Sequence, residues 1–260
     1  EGFINYHIIP MVSAIWSMPP YEAGKMPMNF FLKFFQNHGL FKFKDRPQWY
    51  TVAHRSRTYV NKVLSSISGE YYKNYKINSI KRISSGIQVY YGGDNEFFDY
   101  DKVILATHAN EALALIKNPT EKEKNILSNF SYRENNAVLH FDESMMPKNK
   151  KTWSSWNSFV DPKNLNKSSL SYWLNLLQNL KIEKNIFLTL NPFRDIDEKK
   201  ILKKIKFTHP YYDQKALDNQ KNLKNIQNIE NLLFCGSYFG YGFHEDGIKS
   251  SIEMLKNLDE

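Results

Sequence analysis

Segment 231–255 restricts the fold of this chain most, because it joins a short apolar run, a glycine-rich stretch and an amphipathic stretch. The apolar run Leu232–Cys235 predicts a buried strand. After the glycines, apolar side chains recur at the spacing of one buried helix face: Ile248, Ile252 and Leu255. We expect this helix to begin at about Asp246, whose carboxylate would cap the first turn.

The glycine-rich stretch contains Gly236, Gly240, Gly242 and Gly247. Glycine adopts positive φ without a Cβ penalty and lets a ligand approach the backbone closely. The first turn of the helix would offer unpaired N–H groups and a positive dipole end, which suit an anionic or carbonyl-rich ligand. The spacing is not the G-x-G-x-x-G dinucleotide fingerprint. From the residues alone, a ligand-binding turn and a merely tight connection both stay open.

A length of 260 residues allows one large domain or two modest ones. Hydrophobic residues make up 42% of the chain and aromatic residues 15%, which is typical of a folded globular protein. Cys235 is the single cysteine, and neither Cys-x-x-Cys nor His-x-x-x-His occurs. We therefore expect no disulfide framework, no metal site and a reducing compartment, the cytoplasm.

The net charge of +8 does not by itself indicate a nucleic-acid partner. Lysines mix with acidic residues, as in segments 121–124 and 197–200, and a basic face interleaved with stacking aromatics is not apparent. The apolar stretch Ile8–Trp16 contains Pro10, is too short to span a bilayer and lacks the basic flank of a signal peptide. We expect no nucleic-acid partner and no transmembrane segment, and the sequence does not predict an oligomeric state.

The first 67 residues have helical patterns. A helix is predicted over Phe3–Trp16 and ends at Ser17 and the two prolines that follow. A second helix is predicted over Met28–Asn37, with a broad aromatic face, and ends before Gly39. A third begins after Ser56 as N-cap and has a predicted buried face: Tyr59, Val60, Val63, Leu64 and Ile67.

Strand patterns dominate residues 76–106. Weak alternation over 76–83, clearer alternation over Ile87–Tyr91 and the turn residues Gly92–Asn95 predict a hairpin. The run Val103–Ala106 has no polar alternation, which predicts a strand buried on both faces of a parallel sheet. A helix over Asn110–Ile116 is expected to follow it.

Between 118 and 228 a helix capped by Thr120 precedes five predicted strands, and a helix over Asp213–Ile226 follows them. The strands are predicted at Ala137–Phe141, Trp153–Phe159, Leu170–Leu176, Ile186–Leu190 and Ile205–Thr208. Such a run favours a largely antiparallel sheet with helices on one face, so the class of the chain is α/β and α+β. Side-chain alternation predicts that at most one of Tyr172 and Trp173 lines a pocket.

The C-terminal run resembles the flavin-binding segment of FAD-dependent amine-oxidase-like flavoproteins, more narrowly a bacterial NAD/FAD-binding protein group. The similar residues are Phe234-Cys-Gly-Ser-Tyr and Gly240-Tyr-Gly-Phe-His-Glu-Asp-Gly-Ile-Lys-Ser. The resemblance implies the second half of a Rossmann-like FAD-binding domain with an inserted mixed or antiparallel-sheet substrate domain. It assigns residues 1–47 and 118–228 to the substrate domain, and 48–117 and 229–260 to an incomplete FAD-binding domain.

The start of the chain at Glu1, without an initiator Met, looks like the middle of a protein. Full members of the resembled family begin with a Rossmann βαβ unit that carries G-x-G-x-x-G, and that motif does not occur in this sequence. We expect the chain to be the C-terminal part of a longer flavoprotein, or a naturally truncated one.

The resemblance also implies a set of FAD-binding residues. They are Gly236, Ser237, Asp246, Gly247 and Ile248 at the glycine turn and helix start, Ile80, whose backbone would pass the adenine, and Thr107, in the turn over the ADP part. His244 and Glu245 are the candidate catalytic residues, because they stand in the turn expected near the isoalloxazine. They would donate or accept hydrogen bonds at the flavin or assist as a general base; alternatively they only cap the helix and order the loop.

The activity implied by the resemblance is an FAD-dependent oxidoreductase of amine-oxidase type. It would transfer a hydride to FAD from a C–N or C–C bond of a small molecule, either an amine or an apolar, lipid-like substrate. The alternative is a non-catalytic or truncated fragment that needs a separate dinucleotide-binding half. A basic nucleic-acid binder ranks last, since it would require a contiguous Lys/Arg face.

Overall fold

The computed structural model describes residues 1–93 and 96–258. The helices are α1 (Ile9–Trp16), α2 (Pro20–Ala23), α3 (Met28–Asn37), α4 (Arg57–Ser66), α5 (Ala109–Leu115), α6 (Glu121–Leu127), α7 (Leu174–Leu177), α8 (Gln214–Gln220) and α9 (His244–Leu255). The strands are β1 (Ile77–Ile83), β2 (Gly86–Tyr91), β3 (Phe97–Tyr100), β4 (Val103–Leu105), β5 (Ser131–His140), β6 (Trp156–Asp161), β7 (Asn164–Trp173), β8 (Phe187–Leu190), β9 (Ile201–Tyr211) and β10 (Leu232–Phe234). A π-helical turn, Ile4–Ile8, leads into α1, and 3-10 turns cover Glu143–Met145, Lys150–Thr152, Glu198–Lys200, Leu223–Ile226 and Ser237–Phe239.

Two compact units divide the chain. Unit 1 comprises residues 1–70 and 133–209, and unit 2 comprises residues 71–132 and 210–260. The mixture of helices with parallel and antiparallel sheets confirms the mixed α/β character expected from the sequence. The assignment of a substrate domain and an FAD-binding domain stays a prediction.

Unit 1 is built on a five-stranded sheet in the order β6-β7-β8-β5-β9. The pairs β6–β7, β7–β8 and β5–β8 are antiparallel, as the run of short strands predicts. Tyr172 pairs with Leu188, and Leu190 lies on the same side of the sheet because strand side chains alternate. We call this side the leucine face, defined by Tyr172, Leu188 and Leu190.

The helices at the start of unit 1 follow local sequence signals closely. α1 ends at Ser17, which adopts a left-handed φ of 52° before Pro19 and Pro20. α3 has the predicted bounds and buries Phe31, Phe34 and Phe35. The Phe34 ring lies 4.7 Å from that of Trp16, so the predicted aromatic face of α3 packs against the end of α1.

α4 forms where a helix is predicted, but its predicted burial is wrong. It contains no buried residue, and Val63 is 56% exposed. Ser56 precedes it without capping it through its side chain. The apolar periodicity shows which face could be buried, whereas a covering surface must come from elsewhere in the fold.

Unit 2 contains a three-stranded antiparallel sheet, β1-β2-β3, and a two-stranded parallel sheet, β10-β4. The predicted β2–β3 hairpin forms, but Asp94 and Asn95 of its turn lie outside the described residues. Around these sheets lies a hydrophobic core, whose most buried members include Ile87, Ala112, Leu127, Leu223, Ile226, Leu232 and Phe234.

β4 lies in a parallel sheet, as predicted, with β10 as its partner, but it is not buried on both faces. Ile104 is 43% exposed, whereas Leu105 is buried in the core of unit 2. α6 begins as predicted, with Thr120 Oγ1 accepting from Glu123 N–H at 3.2 Å and Glu123 Oε2 accepting from Thr120 N–H at 2.7 Å.

Candidate functional site

The candidate site of unit 2 lies where the two parallel strands end. Leu232, Leu233 and Phe234 of β10 pair in register with Val103, Ile104 and Leu105 of β4, and Cys235 N–H donates to Leu105 O at 3.1 Å. In parallel sheets, ligands bind outside the carboxyl ends of the strands. This register brings Thr107, which follows β4, beside Gly236, which follows β10.

Gly236 is held in a conformation that requires glycine. Its φ is 153°, and an added Cβ would lie 2.8 Å from the Tyr238 ring and 3.4 Å from Thr107 O. The Gly236 N–H donates to Ser250 Oγ at 2.9 Å, and that hydroxyl donates to Gly247 O at 2.7 Å. Ser250 therefore fixes the end of β10 against the first turns of α9.

α9 begins at His244, two residues earlier than expected, and Phe243 is its N-cap. The prediction of Asp246 as N-cap is wrong. Asp246 stands at the third helical position, and its Oδ2 reaches back to accept from Phe243 N–H at 3.0 Å. Gly242, which immediately precedes the N-cap, has a positive φ of 97°.

The buried face of α9 also differs from the prediction. Ile248 and Ile252 are each 57% exposed and Leu255 is 51% exposed. The buried residues of α9 are Ser250 and Met254 instead, and Met254 packs with Leu233 and Cys235. The Gly247–Ser250–Met254 side of the helix faces β10 instead, through the Ser250 contact with Gly236 and the packing of Met254.

At three of the four glycines in this segment, the protein's own side chains occupy the space that a Cβ would take. An added Cβ would collide with Tyr238 at Gly236, with the Asp246 carboxylate at Gly240, and with Tyr212 Oη, 2.7 Å away, at Gly242. At Gly247 the nearest atom would be Ser237 N, at 4.0 Å. Among these four glycines, the backbone of Gly247 beside Ser237 is therefore the one that no side chain of the protein crowds.

The predicted site residues divide into three groups. Thr107, Gly236, Ser237 and Gly247 meet at the carboxyl edge of the parallel sheet, and Asp246 and Ile248 flank Gly247 in the first turns of α9. Ile80 lies apart from this edge, in the hydrophobic core of unit 2. It is 2% exposed, and its carbonyl accepts from Lys117 N–H at 2.9 Å.

His244 and Glu245 occupy the first two positions of α9, and both side chains are exposed. Glu245 is 69% exposed and lies 3.5 Å from Lys249 Nζ, one turn further along the helix. The catalytic roles of both residues stay predictions. Among the described residues no group of three or more His, Cys, Asp or Glu side chains could hold a metal ion.

Three polar residues that order the site were not predicted from the sequence. Besides Ser250, Gln220 Nε2 donates to Tyr238 O at 3.1 Å and to Gly240 O at 2.6 Å. Gln227 Nε2 donates to Phe234 O at 2.9 Å, and its Oε1 accepts from Phe234 N–H at 3.0 Å. The Gln227 amide thus covers the outer edge of β10 as a neighbouring strand would. No local motif marks these side chains, because their partners are backbone groups in other segments.

Comparison with known proteins identifies the fold but not a sequence family. No family model and no curated protein matches the sequence. A structure from Exiguobacterium sp. 255-15, assigned as a putative protoporphyrinogen oxidase, is 13% identical with a TM-score of 0.69. The match covers all of this chain and 65% of the Exiguobacterium chain. Cyclohexylamine oxidase from Brevibacterium oxydans IH-35A is 10% identical with a TM-score of 0.59, over 98% of this chain and 64% of its own.

A third similar structure is the CLA-producing fatty acid isomerase from P. acnes, at 12% identity and a TM-score of 0.52, over 77% of this chain and 51% of its own. This chain has their fold. It spans between about half and 65% of the length of these solved structures. At such identities the likeness concerns the fold alone. Among the described residues, no helix is both long and apolar enough to cross a membrane.

Proposed function

We propose that this chain is part of an FAD-dependent oxidoreductase of amine-oxidase type, acting on a C–N or C–C bond of an amine or an apolar, lipid-like substrate. The observation that supports it best is the open backbone at Gly247 beside Ser237, at the carboxyl edge of two parallel strands. The shared fold with an amine oxidase and a fatty acid isomerase is consistent with either substrate class.

In this proposal, Gly236, Ser237, Gly247 and Ile248 hold the flavin and its ribityl–pyrophosphate chain. Asp246 orders the first turn of α9 through Phe243 N–H, so that the positive end of the helix dipole faces the cofactor. Thr107 closes over the ADP part. Ile80 is proposed to pass its backbone by the adenine, for which its buried carbonyl would have to give up the hydrogen bond from Lys117 N–H. Bound FAD would supply the hydride acceptor.

His244 and Glu245 carry the proposed catalytic roles. Their exposure at the start of α9 leaves both side chains accessible to solvent or to a bound group. His244 would donate or accept a hydrogen bond at the flavin, and Glu245 would assist as a general base. Glu245 would have to exchange its contact with Lys249 for one with the substrate or cofactor.

The second candidate is a fragment that needs a dinucleotide-binding half supplied by another segment or chain. Two features favour it. β4 pairs with β10 and, within the described residues, with no further strand, and Ile104 on it is 43% exposed. The apolar stripe of Ile248, Ile252 and Leu255 on α9 is exposed as well. Both are surfaces that another element could cover.

The experiment is FAD retention by the purified chain and two variants, read from the flavin absorption bands after desalting. Gly247→Leu adds a side chain where only Ser237 N lies near, and replacing a helical glycine should leave stability equal or higher. Gly69→Leu is the control, since a Cβ there meets nothing within 4 Å. We expect wild type and Gly69→Leu to retain FAD and Gly247→Leu to lose it.

Two outcomes contradict the proposal in different ways. Retention by Gly247→Leu equal to that of wild type would show that the cofactor does not lie at Gly247. A wild-type chain that folds but never retains added FAD would exclude independent cofactor binding and favour the fragment that needs a separate half.

A further inference from the structure

Unit 1 contains a cavity of about 520 Å³ beside α2, which we call the polar cavity. The volume lies within the range of small-molecule sites. Its charged lining residues are Glu22, Arg133, Glu134 and Lys167, and its apolar lining residues include Tyr21, Pro192 and Phe193. The described lining residues all belong to unit 1, so the polar cavity does not depend on the proposed flavin site.

The prolines before α2 determine where Glu22 lies. Pro19 has an extended backbone, with a φ of −67° and a ψ of 152°, and Pro20 is the first residue of α2. Glu22 N–H and Ala23 N–H both donate to Pro19 O at 3.0 Å. Because proline fixes its own φ, this turn has few alternative conformations and holds Glu22 in place.

The two oxygens of the Glu22 carboxylate differ in their hydrogen bonds. Oε1 accepts from Tyr21 Oη at 3.1 Å and from Arg133 Nη2 at 2.8 Å. Oε2 is shielded from solvent and accepts a hydrogen bond from no described residue. A buried acceptor without a donor is destabilising, and a ligand that donates to Oε2 would remove that penalty.

Four charged side chains line the polar cavity, and their burial decides which of them dominates. The side chains of Arg133 and Glu134 are 53% and 54% exposed, and Lys167 is exposed as well. The side chain of Glu22 is 5% exposed. Water screens the exposed charges far more than the buried one. The lining therefore favours a cation at Glu22, although its formal charges balance.

The donors already present on Oε1 select the kind of cation. A guanidinium ion binds a carboxylate best through two parallel hydrogen bonds, one to each oxygen. Since Oε1 has two donors, a ligand that reaches Oε2 through a single N–H fits better, and an ammonium group is such a point donor. A neutral hydroxyl would donate a weaker hydrogen bond, and a carboxylate would set two acceptors against each other.

Another cavity of unit 1, of about 330 Å³, has no such acceptor. It is lined by Tyr172, Leu188 and Leu190 of the leucine face, and its described lining contains no Asp, Glu, Lys or Arg. Trp173 projects to the other face of the sheet, where its ring lies 5.3 Å from that of Trp153. This agrees with the prediction that at most one of Tyr172 and Trp173 lines a pocket. An ammonium group would lose its hydration there without gaining a charged partner.

We propose that the polar cavity binds a primary amine in its ammonium form, with one N–H donating to Glu22 Oε2. A short apolar body attached to the ammonium group packs beside Tyr21, Pro192 and Phe193. Arg133 is a positioning residue, because its hydrogen bond to Oε1 leaves Oε2 as the acceptor for the ligand.

The test compares three probes with the same six-carbon chain: hexylamine, 1-hexanol and hexanoate, titrated calorimetrically into the purified chain at neutral pH. We expect hexylamine to bind at least about tenfold more tightly than 1-hexanol, and hexanoate to bind more weakly than both, because only the ammonium group forms a hydrogen bond between two charged groups. Hexylamine that binds no more tightly than 1-hexanol would overturn the assignment of an ammonium ligand.

Glu22→Gln identifies the acceptor. Because Tyr21 and Arg133 both donate, the amide oxygen takes the position of Oε1 and the NH₂ group takes that of Oε2, where it cannot accept. Hexylamine affinity should fall at least about tenfold, whereas Glu134→Gln, the same change at an exposed lining residue that pairs with Lys206, should alter it less than about threefold. Wild-type affinity in a folded Glu22→Gln variant would refute the site.

A second pair of variants locates the ligand without touching the carboxylate. Asn166 lines the polar cavity, and Asn166→Trp should occupy it and weaken hexylamine binding at least about tenfold. Leu165→Trp is the control, since Leu165 is 41% exposed and is not one of the described lining residues. Equal hexylamine affinity in Asn166→Trp and Leu165→Trp would show that the amine does not bind in this cavity.

Discussion

His140 gives the sharpest prediction on stability, because it lies in a buried chain of hydrogen bonds with one possible direction. Asp142 N–H donates to His140 Nδ1 at 3.0 Å, so Nε2–H must donate to Thr189 Oγ1, at 2.7 Å. The Thr189 hydroxyl then donates to Ser171 Oγ at 2.8 Å, and Ser171 donates to Met145 O at 3.3 Å. His140, Ser171 and Thr189 are each 0% exposed.

A proton on Nδ1 would place two donors against each other at Asp142 N–H. Burial lowers the pKa of His140 from 6.5 to about 4, and the nearby Asp142 carboxylate opposes this only in part. In the unfolded chain the pKa returns to about 6.5. Between these values the unfolded state binds more protons, so the folded state loses stability as pH falls. The contribution is complete above about pH 6.5 and falls by about 3 kcal/mol on reaching about pH 4.

The perturbation is His140→Gln, which keeps polar atoms at the position but cannot titrate. Urea unfolding, followed by tryptophan fluorescence, is measured in steps from about pH 7 to about pH 4. The free energy of unfolding of wild type should fall by about 3 kcal/mol more than that of the variant over this range. His54→Gln, at an exposed histidine, is the control and should keep the pH dependence of wild type. Parallel pH profiles for wild type and His140→Gln would refute the reasoning.

Three further stability predictions follow from single contacts and are measured by urea unfolding. Asp142→Asn should lower the free energy of unfolding by about 2 kcal/mol at neutral pH. Burial raises the pKa of Asp142, but hydrogen bonds from Asp197 N–H, Lys200 Nζ and Ser144 N–H outweigh this effect and lower the pKa to about 2. The difference in stability between wild type and the variant should therefore close as pH falls from 3.8 toward 2. Thr120→Ala should cost about 1 kcal/mol by removing the cap of α6, and Thr120→Ser should not. Ser250→Ala should cost about 1 to 3 kcal/mol and speed amide exchange at Gly236, whose N–H loses its partner.

Element boundaries that depend on local chemistry were predicted from the sequence. Ser17 and the prolines after it end α1, and Thr120 with Glu123 starts α6. The apolar runs of β4 and β10 were recognised as strands, and β4 was expected in a parallel sheet, but its pairing with β10 was not predicted. Each of these depends on residues within a few positions of one another, so a short window of sequence contains the necessary information.

Burial and polar order at the site could not be predicted in the same way. The stripe on α9 is apolar, yet Ser250 is a residue that faces β10, and its hydroxyl accepts from the Gly236 N–H, a backbone donor that needs an acceptor. The amide of Gln227 satisfies the outer edge of β10 for the same reason. Such contacts join a side chain to the backbone of a separate segment. Neither periodicity nor spacing shows which backbone N–H or C=O group lacks a hydrogen-bond partner within its own element.

The glycine-rich turn shows what the structure adds to a motif whose spacing permits two interpretations. Gly240 and Gly242 lack side chains because Asp246 and Tyr212 occupy the space, so the tight-connection interpretation accounts for them. Gly247 has no such neighbour, although a glycine inside a helix costs about 1 kcal/mol relative to alanine. The proposed flavin site would account for this glycine, because a group that approaches the backbone there needs the space that a side chain would take. The ligand-binding interpretation therefore rests on Gly247.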